Sequence, residues 1–516
     1  MPKVFLLLNF YLTALQTICY KLCLVDGSTL NNLKIGIIGA GIAGLATAVR
    51  LACEGHEVSV FEANAYPGGK LSSLEMNGYR FDAGPSLFTM PHYVDELFQL
   101  AGEDPKDYFS YERIPVVCNY FWEDGTRLSA FADQTEFAQE VEEKTGVPAQ
   151  KVHQVLKDSQ NKYEITGKIF LEKSLHRLRT WTNFKVLKAM LKIPTLDLFT
   201  TMNKVHERYL GHPKLVQLFN RFATYNGSNP YKAPGLLSII PHFEHHIGAF
   251  HPKGGMVAIT KAVYELALRK KVSFHFNSPV SKIQVENGQA VGLEVHNKTQ
   301  VFDRIVSNMD VFFTYRKLLA DQKQPERILK QEKSTSALIF YWGIKKQFPE
   351  LNLHNILFTE DYQKEFSALN AGSIYKDPTV YINIGSKYSP EDAPSGGENW
   401  FTMVNVPFID GQDWDQIIPQ VRKDTIAKIN RILNIDLDSL MVCEDILEPR
   451  TIESRTRSHL GSLYGTSSNN KMAAFLRHPN FSKRIKNLYF CGGSVHPGGG
   501  IPLCLLSAKI VVEELV

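Results

Sequence analysis

The apolar positions fall into short blocks that switch between strand and helix spacing. Residues 34–38 are a brief apolar run, long enough for a buried strand. Gly39-Ala-Gly41-Ile-Ala-Gly44 follows and opens an apolar helix that reaches Leu51. Glu57-Val-Ser-Val-Phe61 alternates like a strand and ends at Glu62. Farther on, the pattern predicts a helix over 91–101, strands over 108–135, mostly helices over 131–240 and a helix over 256–270. Segments 272–276, 281–285 and 290–295 read as a meander, and 302–306 leads into Ser307-Asn308. Residues 336–410 alternate apolar strands with Pro/Gly turns. A helix over 413–433, a strand at 488–491 and a closing helix over 503–515 complete the chain.

Strand, glycine turn, helix, second strand and acid make a full dinucleotide-binding unit. Gly39 makes the tight turn, Gly41 lets the backbone approach a pyrophosphate, and Gly44 lets helix and strand pack closely. Glu62 is placed to accept hydrogen bonds from a ribose, and it disfavours a 2'-phosphate. This unit does not separate FAD from NAD. The end of the chain bears on that choice: Gly492-Gly493 follows a strand, and His496-Pro-Gly-Gly-Gly500-Ile501-Pro502 precedes a helix. A second glycine-rich junction suits amide contacts to a flavin ring or its ribityl chain.

Size and charge narrow the class. A chain of 516 residues buries a large core and is expected to divide into domains. A net charge of +4 is too mild to indicate nucleic acid. The 7 cysteines form no CxxC pair, and His245-His246 lack spaced acidic or thiol partners, so no metal site is expected. The thiols suit a reducing compartment. Residues 4–15 are apolar but too short for an ordinary membrane span. Residues 171–200 interleave Arg177, Arg179, Lys185, Lys188 and Lys192 with apolar residues, the pattern of a helix lying on an anionic bilayer. An ordinary core-covering helix with snorkelling cations has the same pattern.

From about Lys34 to Val516 the sequence resembles the bacterial-type carotenoid (phytoene) desaturases. The marks are the glycine unit, Glu62-Ala63, Pro67-Gly68-Gly69-Lys70, Phe81-Asp82-Ala-Gly84-Pro85, Tyr225-Asn-Gly227 and the block Tyr489 to Pro502. The resemblance implies an α/β fold: a Rossmann-like FAD-binding domain with an inserted mixed α+β substrate domain, in an amine-oxidase-like flavoprotein architecture. The expected divisions are an apolar extension at 1–32, FAD-binding parts at 33–115, 244–330 and 446–516, and substrate parts at 116–243 and 331–445. FAD would be held by Gly39, Gly41, Ala43, Gly44, Glu62, Ala63, Gly68, Gly69, Lys70, Pro85, Val280, Gly492, Gly493, Gly500, Ile501 and Pro502.

Such an enzyme moves a hydride from an allylic carbon to the flavin and a proton from the neighbouring carbon to a base. Asp82, Glu244, His245 and His496 are the candidate proton acceptors. Each also has a plain structural reading as a turn holder, surface acid or packed histidine. An apolar tunnel is expected to use Phe222, Tyr225, Phe243, Phe250, Tyr341, Phe358, Tyr381 and Phe401. The resemblance is nearest to the branch that desaturates C3–C4 of a 1'-hydroxycarotenoid. Stepwise phytoene desaturation, carotenoid isomerisation and non-catalytic lipid binding remain alternatives. The implied setting is peripheral, at the cytoplasmic face of a membrane, with quinone or oxygen as electron acceptor and a homo-oligomer left open.

Overall fold

The computed structural model describes residues 32–182, 186, 192–470 and 476–516. Residues 1–31 of the expected extension, and Lys185 and Lys188 of the basic stretch, lie outside the described residues. Lys34–Val516 packs as one unit.

A five-stranded parallel sheet carries the nucleotide unit. Its spatial order is Ser273–His275, Glu57–Phe61, Lys34–Ile38, Arg304–Ser307 and Leu488–Phe490. The first strand in sequence lies in the middle, so strand order reverses between Lys34–Ile38 and Arg304–Ser307. Ligands of open parallel sheets bind at the carboxyl ends beside such a reversal. Gly39 and Asn308 follow directly on these two strands. The helix Ile42–Cys53 crosses behind the sheet with ten consecutive buried residues, Ile42 through Leu51. Its first turn is too apolar for a surface and too glycine-rich for an ordinary helix start.

A second, seven-stranded sheet runs Met441–Leu447, Ser336–Ile344, Glu398–Val406, Val380–Ile384, His354–Leu357, Val116–Phe121 and Arg127–Phe131. All its pairings are antiparallel except that between His354–Leu357 and Val116–Phe121. Ser336–Ile344 is buried at every position. Alternation explains how. Phe340 and Trp342 pack into one core with Val421 and Ile426 of the helix Trp414–Leu433. Ile339 and Tyr341 point the other way, into a cluster with Phe81 and Phe401. The helices Gln134–Thr145, Ala149–Phe170, Met202–Leu210 and Pro213–Asn220 enclose a further core around Tyr120, Phe137 and Phe219.

Several expectations from periodicity are corrected. Of the three segments read as a meander, Ser273–His275 joins the parallel sheet beside Glu57–Phe61. The antiparallel meander is formed instead by Val280–Glu286, Gln289–Val295 and Lys298–Val301. The segment 336–410 contains a helix, Tyr362–Asn370, whose start Asp361 caps by accepting from the Lys364 amide. Residues 171–200 are not one helix. Ala149–Phe170 ends before them, Leu178–Trp181 is a single turn, and Ile193–Leu196 is a short 3-10 segment. Three of the cations in this region are engaged by the closing helix Ile501–Leu515: Lys173 pairs with Glu513, and Arg177 and Arg179 pair with Glu514. Pairing of this kind weakens the electrostatic part of the bilayer reading.

Candidate functional site

A cavity of about 1070 Å³ joins the carboxyl end of the parallel sheet to the inner face of the seven-stranded sheet. That exceeds the roughly 300–1,000 Å³ of ordinary small-molecule sites. One part is lined by Gly39, Gly41, Ala43, Glu62, Ala63, Gly68, Gly69, Lys70, Pro85 and Val280, and by Gly492, Gly493, Gly500, Ile501 and Pro502. Gly44 lies behind this lining. A Cβ there would stand 2.2 Å from the Gly39 carbonyl oxygen, so glycine is required for the close turn. Gly39 itself has φ +94°, the left-handed region.

Glu62 is buried at the sheet end. Its Oε2 accepts from the Ala40 amide at 2.7 Å, and its Oε1 accepts from the Asn64 amide at 2.9 Å. These bonds aim the carboxylate at the glycine turn, and lone pairs remain for ribose hydroxyls. No side chain caps Ile42–Cys53. Its leading amides are thus available to a pyrophosphate. Lys70 donates to the Leu463 carbonyl at 2.9 Å. Burial pushes its ammonium below the usual lysine pKa, and Asp310 nearby opposes that shift. Lys70 is therefore a half-buried cation tied to the backbone, not a freely solvated one. Cradle, acid and uncapped helix fit a dinucleotide.

Sequence reasoning missed Asn308. Its Nδ2 donates to the Gly39 carbonyl at 3.3 Å. A Cβ at Gly41 would fall 2.8 Å from this side chain's Nδ2, and one at Gly492 would fall 2.7 Å from its Oδ1. The two glycine junctions, far apart in sequence, thus close around one amide. Its place just after Ser307 takes on meaning only once Arg304–Ser307 is seen beside Lys34–Ile38.

The other part of the cavity is apolar with one polar wall. Tyr225, Phe243, Tyr341, Tyr381 and Phe401 line it as expected, whereas Phe222, Phe250 and Phe358 do not. Phe222 and Phe358 are fully buried in the helical core, and Phe250 packs edge-on against Tyr111. On the polar wall, Arg221 donates to the Tyr120 hydroxyl at 2.8 Å, the Tyr225 hydroxyl at 2.8 Å and Glu244 Oε2 at 2.9 Å. Tyr225 also donates to Glu244. Burial raises the Glu244 carboxyl, and Arg221 draws it back down. Burial likewise opposes the Arg221 charge, but Glu244 and Tyr120 outweigh it and hold that guanidinium above its usual pKa. Beside this pair, the Ser86 and Tyr381 hydroxyls are 2.8 Å apart, and the Tyr381 hydroxyl is 2.8 Å from His354 Nδ1.

The four acid–base candidates separate. Glu244 and His496 line the cavity, and Asp82 and His245 do not. Asp82 accepts from the Met256 and Val257 amides at 2.8 and 3.2 Å and pairs with Arg80 at 3.2 Å, so it anchors the start of Val257–Arg269. His245 stacks on Phe137 at 4.8 Å inside the helical core, where burial pushes its pKa to about 3. The proton-acceptor role is corrected for both: neither side chain reaches the space a substrate would fill. His496 Nε2 donates to the Lys173 carbonyl at 2.9 Å, and its Nδ1 has no partner among the described residues.

Residues 42–516 match the family described as flavin containing amine oxidoreductase. The chain belongs to this family. A 1-hydroxycarotenoid 3,4-desaturase of Flavobacterium sp. is 53% identical to it over 93% of this chain and 98% of that relative. A 4,4'-diapolycopene oxygenase of Methylomonas sp. is 30% identical over 94% of this chain and 98% of that relative. Within the flavin family the chain therefore stands among the carotenoid desaturases and their relatives. Among solved structures, an oxidoreductase from Methanosarcina mazei matches with TM-score 0.60 at 16% identity, over 93% of this chain and 100% of that one. A putrescine oxidase matches with TM-score 0.61 at 12% identity, over 93% of this chain and 98% of that one. These two likenesses show the amine-oxidase-like fold. The protein is an FAD-dependent oxidoreductase, and the cradle described above fits that cofactor.

Proposed function

We propose that this chain removes two hydrogens across C3–C4 of a carotenoid hydroxylated at C1, the position in the Flavobacterium relative's name, and not at C1' as the resemblance implied. The single observation that carries this reading is the cavity that runs from the glycine cradle into an apolar space with one polar wall. The Flavobacterium relative supports the substrate. In this reading, residues 33–115, 244–330 and 446–516 hold FAD, and residues 116–243 and 331–445 hold the lipid.

FAD, when bound, supplies the hydride acceptor. The protein positions the lipid, excludes water and takes up one proton. Ile339, Tyr341, Phe401 and Met403 form the apolar bed for the polyene. His496 is the proton acceptor we favour. A carbonyl only accepts, so Nε2 carries the ring proton and the free lone pair lies on Nδ1, an atom that its neighbours close off from water. Burial holds this imidazole neutral, with a pKa of about 3. The C–H next to an allylic cation is strongly acidic, so a weak base suffices. Glu244 is less suited, because its protonation would leave buried Arg221 without a counter-charge.

The reading places the chain peripherally at the cytoplasmic face of a membrane. Leu178 is 84% exposed and lies beside Arg179. Electrons would leave to a quinone or to oxygen.

The test is anaerobic incubation of FAD-loaded protein with liposomes carrying either a 1-hydroxycarotenoid or phytoene. Flavin bleaching with loss of two hydrogens from the hydroxylated lipid is the expected result. Loss from phytoene alone would make it a phytoene desaturase. Bleaching and mass change with neither lipid would sink the desaturase reading.

A further inference from the structure

We infer that Ser86 and Tyr381 form the subsite for the substrate's C1 hydroxyl, with His354 fixing the direction of their hydrogen bonds. This rests on the hydroxycarotenoid reading above and deepens it.

The direction follows from the partners. Asn383 Nδ2 donates to the Leu353 carbonyl at 3.0 Å, which identifies it as the amide nitrogen. The same nitrogen lies 3.2 Å from His354 Nδ1, so Nδ1 is an acceptor and the ring proton sits on Nε2. Burial pushes the His354 pKa to about 3, which keeps the ring neutral. Tyr381, 2.8 Å from the same Nδ1, must therefore be the donor to it. Its proton being used, its oxygen accepts from Ser86. Burial also raises the Tyr381 phenol, so it stays protonated. The chain of bonds runs from Ser86 through Tyr381 to His354. What it leaves for a ligand is acceptor capacity on two oxygens, which suits a hydroxyl that donates.

The location is also set. In the name of the Flavobacterium relative, the hydroxyl is on C1 and the bond formed is C3–C4, so only C2 separates them. The hydroxyl's partner must then lie at the flavin end of the cavity, not at its far end. Ser86 follows Pro85 in the loop that lies on Lys70, where a Cβ at Gly84 would stand 2.0 Å from the Lys70 carbonyl oxygen. Tyr341 ties this loop to the seven-stranded sheet by donating to the Ala83 carbonyl at 2.9 Å. His354 and Tyr381 come from neighbouring strands of that sheet, His354–Leu357 and Val380–Ile384. Ser86, His354 and Tyr381 all line the cavity.

Ser86, Tyr381 and His354 Nδ1 already satisfy one another, and His354 Nε2 has no partner among the described residues whether or not a ligand is bound, so a lipid lacking the hydroxyl strands no further donor. Discrimination should then be that of one neutral hydrogen bond, roughly tenfold in affinity. The experiment is equilibrium binding of three carotenoids of equal length to the FAD-loaded protein, followed by tryptophan quenching. The lipids carry hydrogen, hydroxyl or methoxyl at C1. The hydroxyl form should bind about tenfold tighter than the other two. Tyr381→Phe and Ser86→Ala should each abolish that preference, read within each variant as the ratio of affinities for the hydroxyl and hydrogen forms. Equal binding of the methoxyl and hydroxyl forms, absence of a preference, or its survival in both variants would each overturn the assignment. Turnover measured alongside separates the two readings. Preference without loss of hydrogen fails the desaturase alone, and loss of hydrogen without preference fails the subsite alone.

Discussion

Asn308 donates to the carbonyl of Gly39 across the crevice between the two central strands of the parallel sheet, Nδ2 to O at 3.3 Å. The contact spans 269 residues of sequence and joins the first glycine turn to the strand that returns to it. The same side chain fills the space a Cβ would need at Gly41 and Gly492. Its amide therefore sets the spacing of both glycine junctions around the dinucleotide.

Asn308→Leu should loosen FAD. Leucine cannot donate to Gly39, and its two methyls would replace the amide nitrogen and oxygen that stand against Gly41 and Gly492. The expected loss in FAD affinity is about tenfold, roughly the value of one hydrogen bond. Flavin fluorescence titration of stripped protein would measure it. Unchanged affinity would mean that the crevice does not depend on this side chain.

The local part of this site was legible in the sequence because its partners are near neighbours. Gly39, Gly41, Gly44 and Glu62 sit within one strand–helix–strand unit whose spacing reports its own geometry. Asn308 and the Arg221–Glu244 wall were not legible, since their meaning depends on which distant strand or helix faces them. The tunnel aromatics show a second limit. Alternation along Ser336–Ile344 separates two faces, but both are buried, so periodicity alone does not say that Tyr341 faces the cavity and Trp342 the helix. Within 336–410, where the pattern predicts only strands and turns, Tyr362 and Phe366 lie one helical turn apart and Asp361 caps the helix Tyr362–Asn370.

Breaking the buried pair on the cavity wall should cost more than removing it. Glu244→Gln leaves the Arg221 guanidinium, 5% exposed, without a counter-charge and should destabilise the fold by about 3–5 kcal/mol. The double change Arg221→Met with Glu244→Leu should recover most of that loss. Urea unfolding of the three proteins gives the comparison. A double variant no more stable than Glu244→Gln would show that the cost does not come from the stranded charge.

His496→Gln should lower kcat by about 10²–10⁴ with little change in substrate affinity or in the bound flavin spectrum. The wild type's imidazole must be neutral to take a proton, and its pKa is pushed down to about 3. Activity should therefore show no acid limb near the ordinary histidine value. A full kcat in the variant would remove His496 from the reaction.

Asp82→Asn should cost stability and leave catalysis intact. The carboxylate holds two amides at the start of Val257–Arg269 and the Arg80 guanidinium. A loss of about 1–2 kcal/mol is expected, comparable to that of a helix cap. With FAD saturating, kcat should match the wild type. A thousandfold fall in kcat without loss of stability would return Asp82 to the list of proton acceptors.

His245→Phe should make the protein more resistant to acid. The ring is buried against Phe137, and neither nitrogen has a hydrogen-bond partner among the described residues. Its pKa in the fold is about 3, against 6.5 for the free side chain. The unfolded chain therefore binds a proton that the folded chain refuses. The neutral ring costs the fold nothing above 6.5, and stability is lost as pH falls from there towards 3. Phenylalanine keeps the stack and removes the titration. The variant should equal the wild type in stability near neutrality and exceed it by about 2 kcal/mol near pH 5. Chemical denaturation at the two pH values would show it. Activity should persist, because this side chain does not line the cavity. An inactive but stably folded variant with FAD bound would mean that the ring reaches the reacting lipid after all.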